Sequence, residues 1–155
     1  MVSITSDIDW APDYIIEHMI QLFEEFDNKC TFFATHKSST LKQIDKKSFE
    51  IGIHPNFNNL IFNNQIISAE KIVKDLLEIY PSAIGLRSHS VTHSSPLQQL
   101  FYNLGIKYDS NQFVPYNYDT KPYMCWSGVL RIPYNWEDDV HYMYGNHFDN
   151  IFLKK

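Results

Sequence analysis

A chain of 155 residues is long enough for one domain with a real core and too short for two comfortable ones. Hydrophobic residues at 44% and aromatics at 15% exclude a disordered chain, and a formal net charge of -5 without a basic cluster excludes a nucleic-acid partner. Cys30 and Cys125 stand far apart and outside C-x-x-C spacing, which excludes a disulfide framework or a cysteine zinc site.

Val2-Ser3-Ile4-Thr5 reads as a first strand and runs into Ser6-Asp7-Ile8-Asp9-Trp10. Side chains alternate along a strand, so Asp7 and Asp9 are expected on one face at its carboxyl end. Two carboxylates held together beside a core need a cation or a proton between them, whereas an isolated D-x-D is otherwise an ordinary surface turn. After Pro12, the residues Tyr14, Ile15, Met19, Leu22, Phe23 and Phe26 recur at helical spacing and predict a helix lying on a core.

Cys30 to Thr35 is a compact second strand, a short helical segment is expected near Leu41 and Ile44, and Phe49 to His54 is a third strand. Pro55 to Ile67 carries five asparagines and is expected to be loop. Ser68 caps a helix with Ile72, Val73, Leu76, Leu77 and Tyr80 inside, ended by Pro81. Ala83 to Arg87 is a fourth strand, Pro96 to Leu104 a helix stopped at Gly105, and Ile106 to Asp109 a fifth strand. Ser110 to Trp126 reads as loop, and Gly128 to Pro133 as a last strand. Alternating strands and helices without a repeat or a Gly/Ser linker predict a single parallel α/β domain over residues 1–155. The chain shows no basic-then-apolar leader and no run of ~20 apolar residues, so a cytoplasmic protein without membrane insertion is expected.

In parallel α/β folds, polar residues at the carboxyl ends of strands gather at one mouth. Here those ends carry Asp7 and Asp9, then His54, then Arg87 and His89. A mixed carboxylate and imidazole set suits a divalent metal such as zinc, whose catalytic sites keep a position open for water. The spare carboxylate suits a general base, and Arg87 suits its orientation. Hydrolysis of an amide or ester is the reaction class these parts serve.

The runs S-D-I-D-W, T-F-F-A, F-E-I-G-I-H, G-L-R-S-H and L-G-I-K-Y-D-S, followed by Leu130 to Asp139, resemble in order and spacing the polysaccharide deacetylases of the NodB-homology type. The resemblance implies a distorted (β/α) barrel smaller than a full TIM barrel. It also implies metal-dependent removal of N- or O-acetyl groups from sugars, with an N-acetylated sugar as substrate. By position it assigns Asp7 as base, Asp9 and His54 as metal ligands, and Arg87 as the arginine that steadies the base. Asp138 or Asp139, with Trp136, falls near the general acid.

The chain departs from the family in three places. Ile8 separates the two motif aspartates, Asn58 stands where a second motif histidine is usual, and no closing strand with its catalytic histidine is evident before Lys155. The third metal ligand is therefore expected from His89, with His93 in reserve and Asn58 as the family position. His147 is the substitute acid, unless the last strand or helix of the domain lies beyond this sequence. Two alternatives stay open: a metal-free sugar- or partner-binding protein on the same fold, and an amide hydrolase of a small nitrogenous compound.

Overall fold

The structure, a computed structural model, describes residues 3–62 and 68–145. Among the described residues, seven strands form one sheet: β1 (Ile4–Asp7), β2 (Cys30–Ala34), β3 (Phe49–Ile53), β4 (Gly85–Leu86), β5 (Tyr108–Asp109), β6 (Tyr123–Met124) and β7 (Leu130–Arg131). Their spatial order is β1-β2-β3-β4-β5-β7-β6, and every pairing is parallel except β6 on β7. Helices α1 (Asp13–Glu25), α2 (Ser39–Gln43), α3 (Asn58–Phe62), α4 (Ala69–Ile79) and α5 (Ser95–Asn103) occupy the connections between the first five strands. A sixth, α6 (Asp138–Met143), follows β7. The hydroxyls of Ser38, Ser68 and Ser94 each accept from the backbone N–H three residues on, which starts α2, α4 and α5.

The register sorts the strand residues onto two faces. One face sends Ile8, Phe32, Ala34, Ile53 and Leu86 into a buried core with Ile16, Leu41, Val73, Leu76 and Phe101 from the helices. The other face carries Thr5 and Asp7 opposite Thr31 and Phe33, and Phe33 opposite Gly52. Arg87, following β4 on this second face, donates from Nη2 to Thr5 Oγ1 at 2.8 Å. A flat sheet would hold β1 and β4 roughly 14 Å apart, so this contact requires the sheet to curl into a partial barrel. Gly52 and Gly85 make room on the inner face. A Cβ on Gly52 would stand 2.6 Å from the Phe33 ring, and one on Gly85 would stand 2.1 Å from that of Tyr108.

The structure revises the sequence reading of several segments. The asparagine-rich stretch expected to be loop contains α3, because Asn56 Oδ1 accepts from the Asn58 backbone N–H at 2.8 Å and nucleates a turn. The expected loop from Ser110 to Trp126 contains β6, turned onto β7 by bonds from Cys125 N to Val129 O and from Gly128 N to Cys125 O. The segment from Asp138 to Met143, for which no element was expected, is helical and opens on acidic residues that suit a helix N-terminus.

Candidate active site

The polar residues at the strand ends meet at one mouth, although not by the geometry that simple alternation suggests. β1 stops at Asp7, and Ile8 turns into the helix-packed core. Asp9 and Trp10 then adopt positive φ, 31° and 61°, a conformation that non-glycine residues seldom take. This turn, rather than a continued strand, swings Asp9 back to the mouth. β4 likewise ends at Leu86, so the expected continuation of the strand to His89 is replaced by a 3₁₀ turn over His89–Val91. Within it Ser90 and Val91 hold φ of 58° and 52°. Strained backbone gathered beside a polar cluster is a common mark of functional sites.

The cluster is tight. Asp9 Oδ1 is 3.0 Å from His89 Nδ1 and 3.4 Å from His54 Nε2. One donor atom from each of Asp9, His54 and His89 lies within 4.8 Å of the other two. Tetrahedral zinc with bonds of about 2.0–2.1 Å separates its ligand atoms by about 3.3 Å, so this triangle has the dimensions of a ligand set. His54 is buried, and its Nδ1 faces Asp7 Oδ1 at 3.7 Å, beyond hydrogen-bond reach, with no partner for that atom among the described residues. Burial pushes the His54 imidazole below its ordinary value, against the charges of Asp7 and Asp9, and so favours the neutral ring that a metal requires. With Nδ1 turned to Asp7, His54 presents Nε2 to Asp9, and a carboxylate and two imidazoles converging in this way fit a divalent ion.

Asp7 is held from the other side. Arg87 Nη1 donates to Asp7 Oδ1 at 3.2 Å, while Nε and Nη2 reach the Ser110 carbonyl and hydroxyl at 3.3 and 2.9 Å. The guanidinium is buried between two rings, 4.7 Å from the Phe33 centroid and 4.2 Å from that of Tyr134. Its orientation is thereby restricted on every side.

Asn58 does not join the donor triangle; its amide donates to Ser90 Oγ at 3.3 Å. His93 is exposed, with Nδ1 3.0 Å from the Val91 carbonyl oxygen. Asp138 lines a cleft with Asp7, Asp9, Arg87 and Trp136, but its carboxylate accepts from the Asp139 N–H at the start of α6. His147 lies outside the described residues.

Sequence reasoning missed Glu137. This carboxyl lines the same cavity of about 340 Å³ as Asp7, Asp9, His54 and His89, and it is hydrogen-bonded by Tyr134 Oη. It belongs to the run that resembles the family's fourth motif, and the three-residue spacing of Tyr134 and Glu137 was the available signal. The buried pair Asp109–Arg131, bidentate at 2.8 Å for both bonds, was also missed; it fastens β5 to β7 under the site.

Comparisons with known proteins bear on the family and the fold. The sequence profile of the WbmS-like polysaccharide deacetylases matches residues 4–154. A solved structure from Bordetella bronchiseptica, assigned as a polysaccharide deacetylase involved in O-antigen biosynthesis, is 36% identical with a TM-score of 0.90. The match covers 96% of this chain and 63% of that one. A second structure assigned as a polysaccharide deacetylase, from Mycobacterium smegmatis, shares the fold at 17% identity and a TM-score of 0.59, over 86% of this chain and 58% of that one. The chain thus spans less than two thirds of the length of either. No curated protein matches it.

Proposed function

This chain belongs to the WbmS-like polysaccharide deacetylase family, and from that premise we propose that it hydrolyses acetyl groups from a carbohydrate. The observation that carries the reading is the meeting of Asp9, His54 and His89 donors beside an Asp7 carboxylate that Arg87 holds in place. A divalent ion, zinc in our reading, bound by Asp9, His54 and His89 would supply Lewis-acid polarisation of the acetyl carbonyl and a more acidic water.

The protein's own groups serve the rest of the reaction. Asp7 is the base that takes a proton from the attacking water at a carboxylate oxygen. Arg87 fixes the direction of that carboxylate, since its guanidinium is itself clamped between Phe33 and Tyr134. The half-buried cleft between the strand ends and the segment Tyr134–Asp139 suits a sugar carrying an acetamide or acetate ester.

The Bordetella relative's place in O-antigen biosynthesis supports a surface-polysaccharide precursor as the substrate class. A nucleotide- or lipid-linked N-acetyl sugar in the cytoplasm is the form we favour; no described helix is long and apolar enough to cross a membrane. The test is acetate release from a panel of N-acetylated and O-acetylated sugars and nucleotide sugars by zinc-loaded protein, with Asp7→Asn as the control. Release by the wild type and its loss in the variant support the reading. A wild type that binds zinc and releases no acetate from any of them overturns it.

A further inference from the structure

We propose that Glu137 is the general acid of this site, the group that protonates the departing nitrogen of the sugar; the assignment rests on the deacetylase reading above. The reaction needs a proton donor besides Asp7, because an amine cannot leave as its anion. Among the described residues lining the cavity that holds Asp7, Asp9, His54 and His89, Glu137 is the carboxyl built for the task. It comes from the segment after β7, a different part of the mouth from the ends of β1, β3 and β4. The donor and the base therefore reach the scissile bond from separate elements.

Its setting is constructed. Tyr134 Oη donates to one carboxyl oxygen, Oε1, and leaves the other oxygen of this cavity-lining residue to carry a proton. The Tyr134 ring is fixed on the Arg87 guanidinium at 4.2 Å and stacked on Phe113 at 5.1 Å, so the residue holding Glu137 cannot swing away. Asp139, which lines the same cavity, already accepts the Val140 N–H at the start of α6.

The groups around Glu137 agree with a proton-carrying role. Burial raises its carboxyl above the ordinary value, helped by the negative charges of Asp139 on α6 and Asp7 on β1, and opposed by Tyr134 and by Arg87 beyond β4. Asp9, His54 and His89 complete the polar lining of the cavity.

In the step itself, the C–N bond of the tetrahedral adduct breaks and its electron pair goes to nitrogen. The Glu137 proton passes to that nitrogen, leaving acetic acid, a free amine and a Glu137 carboxylate; the acetic acid and Asp7 then lose their protons to solvent, from which Glu137 is reprotonated. Water is the only co-reactant.

The test compares wild type, Glu137→Gln and Tyr134→Phe, all zinc-loaded, on an N-acetyl sugar and on p-nitrophenyl acetate, whose leaving group departs without a proton. Loss of the acid should lower amide hydrolysis by about 10²–10⁴-fold, leave ester hydrolysis within a few-fold, and leave zinc content unchanged. The fall in amide rate as pH rises through the Glu137 ionisation should vanish in Glu137→Gln and move in Tyr134→Phe. Retained ester hydrolysis also reports that the variant is folded. Unchanged amide hydrolysis in Glu137→Gln overturns the assignment and returns the role to His147; equal loss on both substrates makes Glu137 structural. A wild type inactive on both substrates overturns the deacetylase reading and this assignment with it.

Discussion

Arg87 Nη1 reaches Asp7 Oδ1 at 3.2 Å across 80 residues of sequence, joining the ends of the first and fourth strands. The same guanidinium lies between the Phe33 and Tyr134 rings. A planar, stacked, multiply hydrogen-bonded arginine is not replaceable by a lysine ammonium. Arg87→Lys should therefore lower kcat for acetate release by about 10²-fold through misplacement of Asp7, with KM and bound metal little changed. Steady-state kinetics with elemental analysis of the same sample check this.

The donor triangle makes a prediction about metal that separates the histidines. His54→Ala and His89→Ala should each weaken zinc binding at least ~10-fold, because each leaves two donors of three. His93→Ala and Asn58→Ala should leave it unchanged, since His93 faces the Val91 carbonyl and Asn58 faces Ser90. Titration of chelator-stripped protein with zinc measures all four.

Asp109 and Arg131 are both buried, and Arg131 donates two hydrogen bonds to the Asp109 carboxylate, each at 2.8 Å. Asp109→Ala leaves a buried guanidinium without its charge partner and should destabilise the fold by about 3–5 kcal/mol. The double variant Asp109→Leu with Arg131→Met should lose much less, because no lone charge remains inside. Urea unfolding of the single and double variants decides this.

Gly85 has the Tyr108 ring where a side chain would begin, with Cζ 2.1 Å from an added Cβ. Gly85→Ala should cost about 1–3 kcal/mol from overpacking. Adding Tyr108→Leu, which removes the clashing ring, should recover part of that loss. The interaction energy from a thermodynamic cycle of the two is the readout.

Burial pushes the Cys30 thiol up to about 12 from an ordinary 9.0. The folded state favours the neutral thiol, so its contribution to stability is complete below pH 9 and is lost as pH rises from 9 toward 12. Stability measured by urea unfolding from pH 8 to 11 should fall more steeply in the wild type than in Cys30→Ala. Equal slopes would contradict the shift.

Much of the fold was legible because it depends on short-range pattern. Apolar spacing from Tyr14 to Phe26 placed the extent of α1 but not its inner face: Ile16 is the residue it buries, while Tyr14, Ile15, Leu22 and Phe26 of the expected stripe are exposed. Ser68 before Ile72 and Val73 placed α4 with its cap. The runs at Cys30 and Phe49 placed β2 and β3. The two-residue strands β4 to β7 were less clear, since so short an element is defined by its partner rather than by its own residues. The asparagines before α3 read as loop because Asn favours turns, and here the turn Asn56 makes is the one that opens a helix.

The sequence by itself determined which chemical groups are available and at which strand ends they stand: Asp7 and Asp9, His54, Arg87 and His89. Local rules suffice for that, because residue type and strand periodicity are properties of neighbouring positions. Which of these groups meet was decided by the tertiary structure. The curl of the sheet brings Arg87 onto Thr5 and Asp7, and left-handed backbone at Asp9 and Trp10 turns Asp9 toward His54 and His89. Glu137 gains its place beside them only because Tyr134, anchored on Arg87, holds it there. The contacts of Arg87 with Thr5, Asp7 and Tyr134, and of Asp9 with His54 and His89, join positions many tens of residues apart, and no local spacing encodes a distance across a barrel mouth.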